Sequence, residues 1–217
     1  MKLGCQCFCF ACWFLAGCCA PAAAEPPKKP PAWLVGKRFE QQLNQNVGLT
    51  WANAPLDAAL KHLAANNHVA FVLDRRIDPA QTLSLSAAGQ PLEEVLREIA
   101  DTERLGLSLW EPIVYFGPIQ EAAVLRTVAW LRREEVAALP APRRTALLAV
   151  RAWQWDDLAT PRDLLAALAA EAHVKIEGLD QVPHDLWPAR RLPPLAWIDR
   201  LTLLAIEFGL TLEVAAD

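Results

Sequence analysis

The residues whose types and spacing could do chemistry are few. His184-Asp185, two residues before Trp187 and between Pro183 and Pro188, has the composition of a general base oriented by a carboxylate. Such a pair needs a nucleophile. The chain after residue 19 has no Cys, and its only serines, Ser84, Ser86 and Ser108, fall in strand-like patterns with no nucleophile elbow around them. The carboxylate pairs Glu93-Glu94 and Asp156-Asp157 are sequence neighbours, whose side chains diverge on a helix or strand, so they read as solvated faces. His68 and His173 have no ligand spacing near them and suit capping at a helix end. No phosphate-binding glycine loop or dinucleotide fingerprint occurs. The reading is therefore of a protein with no cofactor, no metal and no catalytic residue. An envelope hydrolase using His184 and Asp185, and a small-ligand binder using a cleft between two modules, stand as the alternatives.

All six cysteines, Cys5, Cys7, Cys9, Cys12, Cys18 and Cys19, lie in the first 19 residues. Alternation such as Cys5-x-Cys7-x-Cys9 could suggest a metal site. Here the cysteines are interleaved with Phe8, Phe10, Trp13, Phe14 and Leu15, so they act as small hydrophobes in an export signal. Met1-Lys2 gives the positive start, Leu3 to Ala20 the apolar run, and Pro21 to Glu25 the small residues of a cut site, so residues 1–24 read as a signal peptide. Leu15-Ala16-Gly17-Cys18 looks like a bacterial lipoprotein signal, which implies cleavage before Cys18 and acylation of its thiol; cleavage after Ala24 is the competing outcome. The expected location is outside the cytoplasm, periplasmic or held to a membrane by lipid on Cys18. The Pro-dense segment at 25–37, with Glu25-Pro26-Pro27-Lys28-Lys29-Pro30-Pro31 at its start, reads as an extended tether.

The balance of 21 Lys and Arg against 25 Asp and Glu gives no basic footprint, so nucleic acid is not an expected partner. Hydrophobic residues at 53% are enough for a core.

The elements that position these residues repeat. Ala54-Pro55-Leu56-Asp57-Ala58-Ala59-Leu60 through His68-Val69-Ala70-Phe71 matches Ala159-Thr160-Pro161-Arg162-Asp163-Leu164-Leu165 through His173-Val174-Lys175-Ile176. Each starts a helix at a Pro, carries an apolar stripe and runs into a strand pattern. Gly89-Gln90-Pro91-Leu92 through Leu105-Gly106-Leu107 corresponds to Leu192-Pro193-Pro194-Leu195 through Phe208-Gly209-Leu210, with Gly106 and Gly209 suited to left-handed helix ends. The expected fold is α+β: two tandem sheet-plus-two-helix modules of β-α-β-β-α-β type, at 38–117 and 145–217, joined by a helical linker at 118–144. Strands are expected near 47–51, 69–73, 82–86, 107–110 and 113–116, then near 148–153, 174–177, 190–192 and 210–214. With both helices on one sheet face, the opposite face and the edge strands stay available.

Between Ala54 and Phe116 the chain resembles the short amino-terminal module shared by secretins and TonB-dependent transducers. The resemblance rests on Pro55-Leu56-Asp57-Ala58-Ala59-Leu60, Val69-x-Phe71-Val72-Leu73-Asp74, Gly89-x-Pro91-Leu92-Glu93-Glu94-Val95-Leu96 and Leu105-Gly106-Leu107. Residues 148–214 look like a divergent relative, from which the 183–188 insert departs. The resemblance implies periplasmic protein–protein contact. With no barrel or secretin pore before Asp217, it implies an adaptor for an envelope secretion or signalling assembly, binding an envelope protein or itself by strand addition or by apolar faces. Trp is common (nine), and large aromatics anchor interfaces. Trp51, Trp110, Trp153, Trp155 and Trp187, with His184, are the expected contact residues.

Overall fold

The computed structural model describes residues 32–215. The expected signal peptide, with Cys18, and the 25–31 part of the tether lie outside the described residues. The α+β class holds, and in the first half the order β-α-β-β-α-β holds with a fifth strand. Elements run α1 (Lys37–Leu43), β1 (Asn46–Pro55), α2 (Leu56–Asn67), β2 (Ala70–Leu73), β3 (Thr82–Pro91), α3 (Leu92–Glu103), β4 (Gly106–Trp110) and β5 (Ile113–Gly117). The unforeseen α1 is short; it buries Phe39 and Leu43, one turn apart, on the first core.

Pro55 and Pro91 precede α2 and α3 in an extended conformation, where a missing N–H costs no helix bond. α3 then buries Leu92, Val95, Leu96 and Ile99 on one stripe. Burial of each such side chain contributes roughly 1.5–3 kcal/mol. β1 and β3 form a two-stranded antiparallel ribbon, and β2, β5 and β4 form a separate sheet in that order, β5 parallel to β2 and antiparallel to β4. Helices α2 and α3 share a core with inward residues of both sheets, Leu83 and Leu85 from the ribbon and Val114 and Phe116 from the sheet. The expected single sheet is thus two sheets on one helix layer.

The second half comprises α4 (Ile119–Ala137), α5 (Ala141–Leu147), β6 (Val150–Trp155), α6 (Pro161–Ala172), a 3-10 turn (Leu179–Gln181), β7 (Arg190–Ala196) and α7 (Trp197–Ile206). β6 and β7 pair antiparallel, from Val150 opposite Ala196 to Trp155 opposite Arg190. This repeats the first ribbon. The strands expected at 174–177 and 210–214 do not form: among the described residues, no ladder reaches either segment. α5, which starts after Pro140, was not foreseen.

One further expectation is corrected. The outer face of the three-stranded sheet is not free. Ala70, Val72, Trp110, Ile113 and Tyr115 on that face join the core of the second half, so every residue of β5 is buried. An uninterrupted apolar run such as Ile113-Val114-Tyr115-Phe116 suits a strand covered on both sides. The helix expected as the linker, α4, packs on the first half. It lies so close to β4 that a Cβ on Gly106 would sit 2.5 Å from Ala122 Cβ and 2.7 Å from Ile119 Cα. That approach selects Ala122, Leu125 and Ala129 for the buried stripe and turns Val124 and Leu131 outward. Gly106 therefore serves close packing, while Arg104 takes the left-handed helix end; Gly209 does end its helix at φ +67. His68 and His173 cap α2 and α6 in matching left-handed conformations.

α7 is buried nearly all round. Its charged residues are met in place: Arg133 of α4 donates to both oxygens of Asp199 (2.7 and 2.5 Å), and Arg200 donates to both oxygens of Glu171 (2.8 and 2.7 Å).

Candidate functional site

Four of the five tryptophans expected at an interface are core residues. Trp110, Trp153, Trp155 and Trp187 are buried within the chain itself. Trp153 and Trp155 meet edge-on, Trp155 tilts against Trp187, and Trp187 stacks on Phe208 at 9° with centroids 5.8 Å apart. The indole N–H of Trp155 donates to the Pro188 carbonyl (3.0 Å) and that of Trp187 to Asp185 (2.9 Å). Trp153 and Trp155 alternate along β6 on its inward side. Trp51 is half-buried on the outer ribbon, edge-on to His62.

Around this aromatic stack the two halves are joined by ion pairs. Asp74, at the end of β2, has no exposed side-chain surface. It accepts from Arg76 Nε (2.9 Å) and Nη2 (2.8 Å), from the Arg76 backbone N–H (2.9 Å) and from the Tyr115 hydroxyl. Hydrogen bonding to Asp74 holds Arg76 above its ordinary pKa, and burial, reinforced by Asp74, pushes Tyr115 up. Arg76 continues to Glu121 of α4 (2.5 Å) and to the Ile206 carbonyl (2.9 Å), so one guanidinium ties β2, α4 and α7.

Arg190 of β7 makes the second tie. It donates to Glu207 (2.9 Å) and to the Leu73 carbonyl (3.1 Å), and its guanidinium lies 5.5 Å from the Trp155 ring centroid. Glu207 is buried, and its Oε2 has no hydrogen-bond partner. Burial raises its pKa to about 7; Arg190 opposes the rise and Asp74 adds to it.

The cleft between the halves is lined by Asp74, Arg190 and Glu207 with Asp57, Arg75 and Asp185. Among the described residues, no Ser, Thr, Cys or Lys lies on its walls. Across it Arg75 pairs with Asp185 and Arg190 with Glu207, and Leu73, Ile77, Pro79, Leu186 and Pro188 make up the apolar part of the wall. What the arrangement can do is fix the halves together and take up one proton near neutral pH on Glu207. Among the described residues no group of three or more His, Cys, Asp or Glu could hold a metal ion.

The His184-Asp185 pair is not assembled as a dyad. His184 is exposed, and no hydrogen bond links it to Asp185. Asp185 accepts from Arg75 Nε (2.5 Å), from Trp187 and from the Leu186 N–H (3.0 Å). Partial burial pushes this carboxyl up, but the hydrogen bonds from Arg75 and Trp187 outweigh it and the net displacement is downward. Asp185 orients Trp187 and Arg75, and His184 has no carboxylate to orient it.

The exposed apolar surface that sequence reasoning missed is on α4. Ile119 (62% exposed), Val124, Trp130 (59%) and Leu131 project from its outward side, opposite the buried Ala122, Leu125 and Ala129. At 100° per residue, Ile119, Ala123, Val124, Thr127, Trp130 and Leu131 fall within one half of the helix circumference, broken by Gln120 and Glu134. The signal was present in the sequence: α4 carries apolar residues on more than one side, which one packed stripe does not explain. No family model and no curated protein matches this chain.

Proposed function

We infer that this chain is an extracytoplasmic docking protein, an adaptor attached to a membrane through acylated Cys18 and the Pro-rich tether, which binds a protein of an envelope secretion or signalling assembly and makes or breaks no covalent bond. The observation that carries this reading is the outward side of α4. A Trp more than half exposed, flanked by Ile119, Val124 and Leu131, is costly to leave in water and has the composition of an interface centre. The helix beneath it is rigid: Arg133 clamps it to α7, Glu121 ties it to Arg76, and Ala122 seats it on Gly106. A rigid support lowers the ordering cost of binding. The first half has the β-α-β-β-α-β order, and the resemblance to the secretin and TonB-transducer module implies protein contact.

Capture from envelope extracts on immobilised wild type and Trp130→Glu tests the reading. The expected result is a discrete captured protein that Trp130→Glu loses while its thermal midpoint stays at the wild-type value. Identical capture by both proteins would overturn it.

A further inference from the structure

The second half repeats the two-stranded ribbon and the two helices of the first but not its three-stranded sheet. In the first half β5 lies between β2 and β4. The equivalents of β2 and β4 are set by the helix ends. His68 and His173 end α2 and α6 in the same left-handed conformation, which equates Ala70-Phe71-Val72 with Lys175-Ile176-Glu177. Leu105 N–H donates to the Ala100 carbonyl (2.8 Å) as Leu210 N–H does to that of Ala205 (3.0 Å), which equates Leu107-Ser108-Leu109 with Leu212-Glu213-Val214. Both segments of the second half alternate as strands do: Val174, Ile176, Leu210, Leu212 and Val214 are partly buried, while Lys175, Glu177, Thr211 and Glu213 are exposed. Yet the backbone N–H groups of 175–177 and 211–214 donate to no other described backbone group. Between the segments runs an open apolar groove walled by Ile176, Leu201, Leu204, Phe208 and Leu212. Arg132 of α4 donates to the Leu212 carbonyl.

We propose that the groove takes an extended segment of a partner protein as the missing middle strand, parallel to 174–177 and antiparallel to 210–214, with the side-chain order apolar–basic–apolar. The register of β5 specifies that order. Val114 lies opposite Phe71 and Leu109, Tyr115 opposite Val72 and Ser108, and Phe116 opposite Leu107. Transferred to the second half, the residue in the Tyr115 position falls between Glu177 and Glu213, and those in the Val114 and Phe116 positions face Ile176, Val214 and Leu212. Lys175 already pairs with Glu177 (2.6 Å), which leaves Glu213 as the uncompensated carboxylate of the two. Main-chain hydrogen bonds give such a strand its affinity, and the two apolar pockets and the paired carboxylates give its specificity.

The inference deepens the docking reading but uses a surface other than the α4 face, and its test needs no cellular partner. The probe is a labelled peptide of residues 112–118 carrying Ile113→Thr and Tyr115→Arg, titrated into the purified protein by fluorescence polarisation. The expected result is saturable binding, about tenfold weaker for the same peptide with Tyr115→Glu, with the preference inverted by the exposed-site variant Glu213→Lys. Alternate amides within 175–177 and 211–214 become protected from hydrogen exchange when the peptide binds. Absence of saturable binding, or indifference to the Glu213→Lys exchange, overturns the proposal. Protection of the same amides without peptide, rising with protein concentration, also overturns it by assigning the groove to a second copy. Trp130→Glu leaves peptide binding unchanged, so failure at either surface is read separately.

Discussion

Glu207 offers a quantitative test of how the two halves are joined. It ends α7 against Arg190, Asp74 and the backbone of Arg75, with one carboxylate oxygen unpartnered. Its pKa is raised from the ordinary 4.5 to about 7, mainly by burial. Between those values the folded protein keeps a proton that the unfolded chain releases. The stabilisation linked to this group is complete below pH 4.5, declines as pH rises, and is gone above about pH 7. A displacement of that size corresponds to about 3 kcal/mol. Glu207→Gln keeps the shape of the protonated acid and cannot ionise. Urea denaturation of both proteins from pH 4.5 to 8.5 should therefore give equal stabilities at the acid end. At the alkaline end the variant should be more stable by up to about 3 kcal/mol. Other groups titrate in both proteins, so they cancel in the difference. Parallel profiles, or a variant less stable than wild type at pH 8, would refute the reasoning and show that the Arg190 pair outweighs burial.

Asp74→Ala strips the acceptor from Arg76 and from the Tyr115 hydroxyl, and should cost about 3–5 kcal/mol in the same urea assay. A loss under 1 kcal/mol would mean the network is not a joint between the halves. Gly106→Ala drives a methyl into Ala122 and the backbone of α4, and should destabilise by about 1–3 kcal/mol although Ala is otherwise favoured over Gly. An unchanged urea midpoint would show that α4 does not sit against β4 as described.

Local structure in the first half was legible because its signals are local: a Pro before each helix, a stripe of Leu and Val, and a two-residue alternation. The paired left-handed caps at His68 and His173 also follow from the repeat. What covers each face was harder to read. Ile113 to Phe116 reads as a strand in any context, and only its lack of alternation hints that both sides are covered. The alternating pattern at 174–177 and 210–214 suggests strands, and none forms there: a pattern cannot say whether a neighbour exists to complete the ladder. The tryptophans misled because composition cannot distinguish an indole facing a core from one facing a partner: Trp187 and Trp130 differ in burial, not in type. The junction was out of reach, since Arg75 and Asp185 stand 110 positions apart and each alone looks like a surface charge.

The central claim is that the α4 face docks a protein, and a photo-crosslinking residue placed at position 130 tests it most directly. Installed in the full chain in the cell that makes it, with the same residue at the exposed Lys61 position as the control, it should yield one discrete adduct from position 130 and none from position 61. Adducts of equal yield from both positions, or no adduct from 130 in a folded and exported protein, would contradict the account.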